Sequence, residues 1–260
     1  MPQDTPRFAD HFRNRQPLVG TFVKMASTMP TEILGLNGYD FVVVDEEHAP
    51  LNRETTDRIL LACRAVGIGG LVRVQSADPA AILSVLDCGA DGVLVPHIKD
   101  AADAALIAQA ARYRPGRRGY AATTRAGAFG GQGIAAHIAE QDHRATVIAM
   151  IEDPEALEDI EAIVATEGID GVFIGRGDLT VAFGEDAPGS APVRAATSKI
   201  IAAARAAGKT VSAMAGSPED AQALFHDGVT TFVVGSDQTF LRTAAIATLA
   251  GTRAALKPKG

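Results

Sequence analysis

Acidic and basic side chains directly follow an apolar run near the start of the sequence. The run covers residues 41–44, and after it come three carboxylates and an imidazole: Asp45, Glu46, Glu47 and His48. Crowded like charges destabilise a fold unless a metal ion or hydrogen bonds offset them. The turn is either a solvated loop in which His48 packs on a helix start, or part of a reactive site at a strand end.

Two more carboxylates follow later apolar runs. Glu152 comes after residues 147–151, and Asp178 comes after residues 171–174 and the turn Gly175-Arg-Gly. Carboxylates on neighbouring strands, with water in the remaining positions, suit a hard cation such as Mg²⁺ or Mn²⁺ bound with a chelating substrate. The glycines Gly175 and Gly177 let backbone N–H groups approach a bound carboxylate. Such a turn is a weak signal alone, so the prediction rests on the strand ends together.

Arg73 lies inside the apolar run 70–74. A guanidinium in that setting needs an anionic or carbonyl partner. Two hypotheses follow: a salt bridge to one of the acids after residues 41–44, or contact with an anionic substrate.

The elements that would position these residues alternate regularly along the chain. Short apolar runs predict eight strands, near 18–24, 41–44, 70–74, 92–95, 146–151, 170–174, 209–214 and 231–235. Helical patterns lie between them, at about 30–37, 53–66, 79–88, 100–112, 155–165, 193–207, 218–226 and 238–250. Consecutive apolar residues are typical of parallel strands buried on both faces. The pattern predicts an α/β protein: one (β/α)₈ TIM barrel, a single domain over residues 1–260, with its active site at the carboxyl ends of the strands.

Residues 113–145 depart from this regularity. They hold many glycines and four arginines, Arg114, Arg117, Arg118 and Arg125. Long loops in compact domains are usually functional or disordered. We expect an elaborated βα loop that faces an anion.

Composition narrows the class of partner and the compartment. The 260 residues are 47% hydrophobic and 21% charged, with a net charge of −7 and no long block of one sign. This balance offers no electrostatic surface for nucleic acid. No run approaches the ~18 apolar residues of a membrane span, and the N-terminus lacks a signal-peptide pattern. Two cysteines cannot form a disulfide framework, so we expect a cytoplasmic protein.

Taken in order along the chain, these motifs resemble the metal-dependent (class II) 2-oxo acid aldolases of the HpcH/HpaI family. The resemblance spans roughly residues 15 to 250. Its motifs are residues 38–50, 72–74, 86–96, 118–119, 150–152 and 171–179. It implies a (β/α)₈ barrel that makes or breaks a carbon–carbon bond between a 2-oxo acid enolate, often from pyruvate, and an aldehyde. It also implies a homo-oligomer, a trimer or a hexamer of two trimers, with the last helix exchanged between neighbours.

The resemblance also implies a role for each matching residue. Glu152 and Asp178 would bind a divalent metal, namely Mg²⁺, Mn²⁺ or Co²⁺. Arg73 would hold the keto or enolate oxygen. His48 would be the base, acting through a metal-bound water and oriented by Asp45. The remaining implied roles are substrate-carboxylate binding by the amides of Gly175, Gly177 and Asp178, and support of the metal-bound water by Glu47.

The sequence departs from the family pattern at three places. Met150 stands where many relatives have Gln, Arg176-Gly177 where they have a Pro-Ala or Pro-Ser pair, and Glu46 where Gly is common. The added Arg176 suggests a different choice of oxo acid, such as hydroxypyruvate or a more acidic substrate. Both metal ligands are present, so metal binding is still expected.

Three alternatives stay open. Lys24, after the first predicted strand, is a candidate for a Schiff-base mechanism, although the carboxylate pair would then have no task. An acyl-CoA lyase of the citramalyl or malyl-CoA type would use the same metal site. A non-catalytic sugar-acid-binding barrel would explain the fold but not the reactive strand ends.

Several other residues are given structural roles. His97 follows the fourth predicted strand and either faces the site or hydrogen-bonds a loop. Met214 is expected in the wall of an aldehyde pocket, and Ser236 and Asp237 are expected to cap the last helix.

Overall fold

The computed structural model describes residues 8–256. Eight parallel strands form a closed barrel in the order β1 to β8. Their bounds are β1 Leu18–Val23, β2 Phe41–Asp45, β3 Gly69–Arg73, β4 Gly92–Val95, β5 Thr146–Ile151, β6 Gly171–Ile174, β7 Thr210–Ala215 and β8 Thr231–Ser236. All eight lie within one residue of the predicted bounds, so the predicted (β/α)₈ barrel is confirmed.

Helices connect the strands. Their bounds are α1 Phe8–Arg13, α2 Met29–Leu36, α3 Arg53–Val66, α4 Pro79–Asp87, α5 Ala101–Ala111, α6 Ile134–Arg144, α7 Ile160–Ala165, α8 Arg176–Ala182, α9 Ala191–Ala206, α10 Pro218–Asp227 and α11 Asp237–Ala255. The helix predicted over 155–165 is divided into a 3₁₀ turn at Pro154–Leu157 and α7. Helices α1, α6 and α8 were not predicted. None of the helices within residues 8–256 combines the length and apolar character needed to cross a bilayer.

Alternation along the strands divides the core in two. Side chains of successive strand residues point to opposite faces. One set fills the barrel, including Leu71, Leu94, Ile148 and Phe173, and the other packs against the surrounding helices. The same alternation turns the last residue of β2, Asp45, into the barrel.

Helix α1 closes the end of the barrel opposite the reactive strand ends. Its Phe8 and Phe12 join the interior cluster. A Cβ on Gly69, the first residue of β3, would lie 2.8 Å from the Phe8 ring, and one on Gly171, the first residue of β6, would lie 2.8 Å from the Phe12 ring. The amino ends of the strands therefore need glycine at these two positions to admit the aromatic plug.

The prediction of a βα loop over 113–145 is wrong in its placement. The irregular segment follows helix α5 rather than a strand, and α6 closes it, so it is a connection from helix to strand. Arg118 pairs with Asp87 and Arg125 pairs with Asp57. These two arginines bind carboxylates of the protein instead of facing an external anion.

Candidate active site at the strand ends

A buried ion pair joins the ends of β2 and β3. Asp45 and Arg73 are neighbours in the sheet register. Arg73 Nε donates to Asp45 Oδ1 at 3.0 Å and Arg73 Nη2 donates to Oδ2 at 2.8 Å. Burial opposes ionisation of Asp45, but hydrogen bonds and charge from Arg73, together with Lys24 and a backbone N–H, outweigh it and lower the pKa of Asp45 to about 2. The carboxylate is thus ionised at neutral pH.

Arg73 also faces a second acid and an aromatic ring. Its Nη1 lies 3.3 Å from Oε2 of Glu47. Its guanidinium carbon lies 4.6 Å from the centre of the Phe22 ring. The predicted salt bridge to the acids after β2 is therefore present, and contact between Arg73 and substrate stays a prediction.

His48 is positioned through its backbone. Its N–H donates to Asp45 Oδ1 at 3.1 Å. The half-exposed imidazole instead lies with Nε2 3.6 Å from Glu47 Oε2. Asp45 thus fixes the backbone of the turn that carries His48. This hydrogen bond does not involve the imidazole, so orientation of the ring by Asp45 stays a prediction.

Glu152 is nearly fully buried, with 4% of its surface exposed. Its Oε1 accepts a hydrogen bond from the backbone N–H of His97 at 2.9 Å. Burial raises the pKa of Glu152 to about 7, and the charges of Asp178 and Glu47 add to this effect, which the His97 contacts only partly oppose. Ionisation of Glu152 is therefore opposed mainly by its burial and further by the two neighbouring carboxylates.

Gly175 lies directly against Glu152. A Cβ at position 175 would be 2.4 Å from the Glu152 Cβ, so only glycine fits. The Gly175 N–H donates to Ile151 O at 3.0 Å and is not free to bind a substrate carboxylate, which corrects that part of the prediction. The N–H groups of Gly177 and Asp178 lie in the first turn of α8, where amides have no partner within the helix.

The donor set fits a divalent cation held by few protein ligands. Residues 8–256 contain no group of three or more His, Cys, Asp or Glu side chains arranged to hold a metal ion. The carboxylates of Glu152 and Asp178 repel each other, and the buried Oε2 of Glu47 lies 3.3 Å from Arg73 Nη1 but accepts no hydrogen bond. Hard cations accept two carboxylates with the other positions taken by water or substrate oxygens. A cation here would favour the ionised form of both carboxylates.

His97 lies at the site, and two roles were expected for it. It follows β4 with a left-handed backbone, φ 57°. Its Nδ1 lies 3.0 Å from Asp153 Oδ2, and its Nε2 lies 3.8 Å from Glu47 Oε1. His97 therefore both hydrogen-bonds a loop and faces the site. In the sequence, the only indication that His97 lies at the site was its position two residues after a predicted buried strand.

Lys24 is engaged in an ion pair. Its Nζ lies 2.9 Å from Asp45 Oδ2. An ammonium group held in an ion pair is not a nucleophile, so the contact favours a structural role over a Schiff base.

Asp237 accepts hydrogen bonds from the backbone N–H groups of Lys24 and Met25, and Ser236 caps α11 by accepting from the Thr239 N–H.

Comparisons with known proteins agree with this architecture. The family model described as HpcH/HpaI aldolase/citrate lyase matches residues 18–244. A 5-keto-4-deoxy-D-glucarate aldolase of Escherichia coli O9:H4 (strain HS) is 34% identical over 232 residues, which cover 88% of this chain and 90% of the relative.

Two solved structures extend the comparison. An HpcH/HpaI aldolase/citrate lyase family protein from Burkholderia cenocepacia J2315 is 28% identical, with a TM-score of 0.89, over 94% of this chain and 98% of that one. The citrate synthase SbnG is 29% identical, with a TM-score of 0.86, over 95% of this chain and 97% of that one.

The raised pKa of Glu152 predicts a measurable effect on stability. The folded metal-free protein keeps a proton on Glu152 between about pH 4.5 and 7 that the unfolded chain releases, so this group's contribution to stability is lost as pH rises through that window. Raising the pH from 5 to 8 should therefore destabilise the parent more than Glu152→Gln. The difference in free energy of unfolding should shift in favour of the variant. Urea unfolding followed by circular dichroism, with chelator present, measures the difference.

The matched control is Glu161→Gln, at an exposed position on α7. Its stability relative to the parent should not change between the two pH values. Equal pH dependence in Glu152→Gln and the parent would show that the buried carboxylate carries no such penalty.

Proposed function

The chain belongs to the HpcH/HpaI aldolase/citrate lyase family, and from that membership we propose the chemistry of its strand ends. The protein is an aldolase, a carbon–carbon lyase dependent on a divalent metal. Its substrates are 4-hydroxy-2-oxo acids, which it cleaves reversibly into an aldehyde and pyruvate or a related 2-oxo acid such as hydroxypyruvate. The observation that carries this proposal is the buried carboxylate of Glu152 with the Asp178 carboxylate near enough to raise its pKa further, because a bound cation would favour the ionised form of both groups.

Glu152 and Asp178 are the proposed metal ligands, and Mg²⁺, Mn²⁺ or Co²⁺ is the proposed ion. When bound, such a cation supplies positive charge that opposes the negative charge of an oxo acid enolate. Glu47 faces Arg73, His48 and His97, and its role is to hold polar groups around the substrate in place.

Arg73 is proposed to hold the keto oxygen. Asp45 occupies Nε and Nη2, which fixes the plane of the guanidinium. The remaining Nη1 faces Glu47 at 3.3 Å and is the group available for a substrate oxygen. A preorganised donor aimed at developing charge stabilises the transition state more than the ground state.

His48 is proposed as the base that takes the proton from C3 of the oxo acid and returns it. Its ring is half-exposed, and the Asp45 contact holds its backbone. An imidazole titrates near neutral pH and suits proton transfer in both directions. The amides of Gly177 and Asp178 are proposed to bind the substrate carboxylate.

The proposed reaction is tested by measuring pyruvate release from a panel of 4-hydroxy-2-oxo acids, with and without EDTA. The panel includes the substrate named for the Escherichia coli relative and a citramalyl-CoA thioester for the lyase alternative. We expect release from at least one hydroxy-oxo acid that EDTA abolishes and Mn²⁺ restores. Turnover of the thioester alone would support the acyl-CoA lyase, and no turnover of any compound would support a binding protein.

The role of His48 is tested by proton exchange. We expect His48→Ala to slow the exchange of pyruvate methyl protons in D₂O by about 10²- to 10⁴-fold, the usual contribution of a general base. Pyruvate binding should persist, because Arg73 and the turn before Asp178 are unchanged. NMR follows the exchange without the unknown aldehyde.

The control for this experiment is His226→Ala, at an exposed position on α10. It should exchange at the parental rate. Parental exchange in His48→Ala would instead point to Glu47 or His97 as the base.

A homo-oligomer, a trimer or hexamer, is the proposed assembly. In helix α11 only Asp237 is buried, and several apolar residues of α11 are exposed, among them Leu241, Ile246 and Leu249. The outward-facing Val19 of β1 is also 42% exposed, so α11 leaves part of the barrel wall uncovered. A second copy of this chain would cover both surfaces. Light scattering should report an oligomer, and a monomer at assay concentrations would contradict the proposal.

A cytoplasmic location is the proposed compartment. Cys63 and Cys88 are both free thiols and both buried. Free thiols persist where the surroundings are reducing, which is typical of the cytoplasm.

A further inference from the structure

The turn that carries Asp178 is anchored on its inner side by the buried Leu179 but has no side-chain cap. Residues 175–177 read Gly-Arg-Gly, and glycine loses more conformational freedom on folding than any other residue. Helix α8 has seven residues, and no side chain caps its amino end. Asp178 itself is exposed. On the exposed side of the turn, a further restraint on this carboxylate has to come from a neighbouring element.

The side chain of Arg176 makes such a contact with the next βα unit. Its Nη1 donates to Oδ1 of Asp220 at 2.9 Å, and its Nη2 donates to Oδ2 at 2.6 Å. The Arg176 side chain is 16% exposed and the Asp220 side chain is 29% exposed. Paired parallel hydrogen bonds of this kind fix orientation as well as distance.

Asp220 is in turn held by its own surroundings. Its Oδ2 accepts from the Gly216 N–H at 2.9 Å, and its backbone N–H donates to Ser217 Oγ at 3.2 Å. The carboxylate is thus fixed to the start of α10 and to the loop after β7. The Arg176–Asp220 ion pair, which we call the clamp, joins the loop after β6 to the loop after β7.

We propose that Arg176 and Asp220 are positioning residues that hold Asp178 beside Glu152 and so set the affinity of the site for its divalent cation. This inference rests on the proposed function. It gives Arg176 a role other than the expected choice of a more acidic oxo acid, because both terminal nitrogens of the guanidinium donate to Asp220. The effect of Arg176 on the choice of oxo acid stays a prediction.

The test measures Mn²⁺ affinity of the full chain by the loss of the free-ion signal in electron paramagnetic resonance. Removal of a residue that orients a metal ligand weakens metal binding by about 10- to 100-fold. We expect a weakening of about tenfold or more in Arg176→Lys, whose ammonium cannot span both oxygens, and in Asp220→Asn. The double variant should be no weaker than the weaker single variant, because both changes break the same contact.

A second ion pair of similar geometry and exposure provides the control. Arg125 donates to Asp57 from Nε at 3.1 Å and from Nη2 at 2.7 Å, with side-chain exposures of 16% and 35%. Arg125→Lys and Asp57→Asn should lower thermal stability as much as the clamp variants but leave Mn²⁺ affinity within twofold of the parent.

Measurements at saturating Mn²⁺ distinguish residues that only position a metal ligand from residues that the reaction itself requires. Proton exchange into pyruvate should recover in both clamp variants at high Mn²⁺, whereas it should not recover in Glu152→Gln. Parental Mn²⁺ affinity in Arg176→Lys and Asp220→Asn would overturn the clamp and leave the proposed function standing. A parent protein that binds no Mn²⁺ would overturn the metal assignment and the clamp together.

Discussion

The site is organised around the buried ion pair between Asp45 and Arg73. Adjacent parallel strands in register place both side chains inside the barrel, where a buried charge needs an opposite charge beside it. Two hydrogen bonds lock the guanidinium plane, and the same carboxylate holds the ammonium of Lys24 and the backbone of His48. The Asp45 carboxylate thus fixes Lys24 directly after β1, Arg73 on β3 and His48 in the turn after β2.

The part of the site around Glu152 differs from the part around Asp45. Burial raises the pKa of Glu152, the charges of Asp178 and Glu47 add to this effect, and contacts with His97 oppose it only in part. A fold selected for stability alone would bring a cation or an amide to this position. Ionising Glu152 is costly for the metal-free protein, and the proposed cation would remove that cost. On the proposed function, the Asp45 side of the site is preorganised by the protein, and the Glu152 side is completed by the proposed cation.

The barrel could be predicted because its strands are continuous apolar runs, and period-two alternation then brings Asp45, Arg73 and Glu152 to one end of it. Features set by distant contacts could not be predicted. Helix α1 has only six residues in a polar stretch, and it forms because its aromatic side chains fill the amino end of the barrel. The hydrogen bond that occupies the Gly175 N–H depends on the register of β5 with β6, which no local pattern shows.

The space required by one side chain explains the sequence of the turn before Asp178. Because Glu152 packs against position 175, that position must be glycine, and glycine cannot offer a side chain to cap α8. Gly177 adds further backbone freedom in the same turn. The restraint that a capping residue would normally provide has to come from elsewhere, and Arg176 is the side chain between the two glycines that reaches the next βα unit. An arginine suits this task because its planar fork restrains orientation through two bonds at once, which a single point charge cannot do.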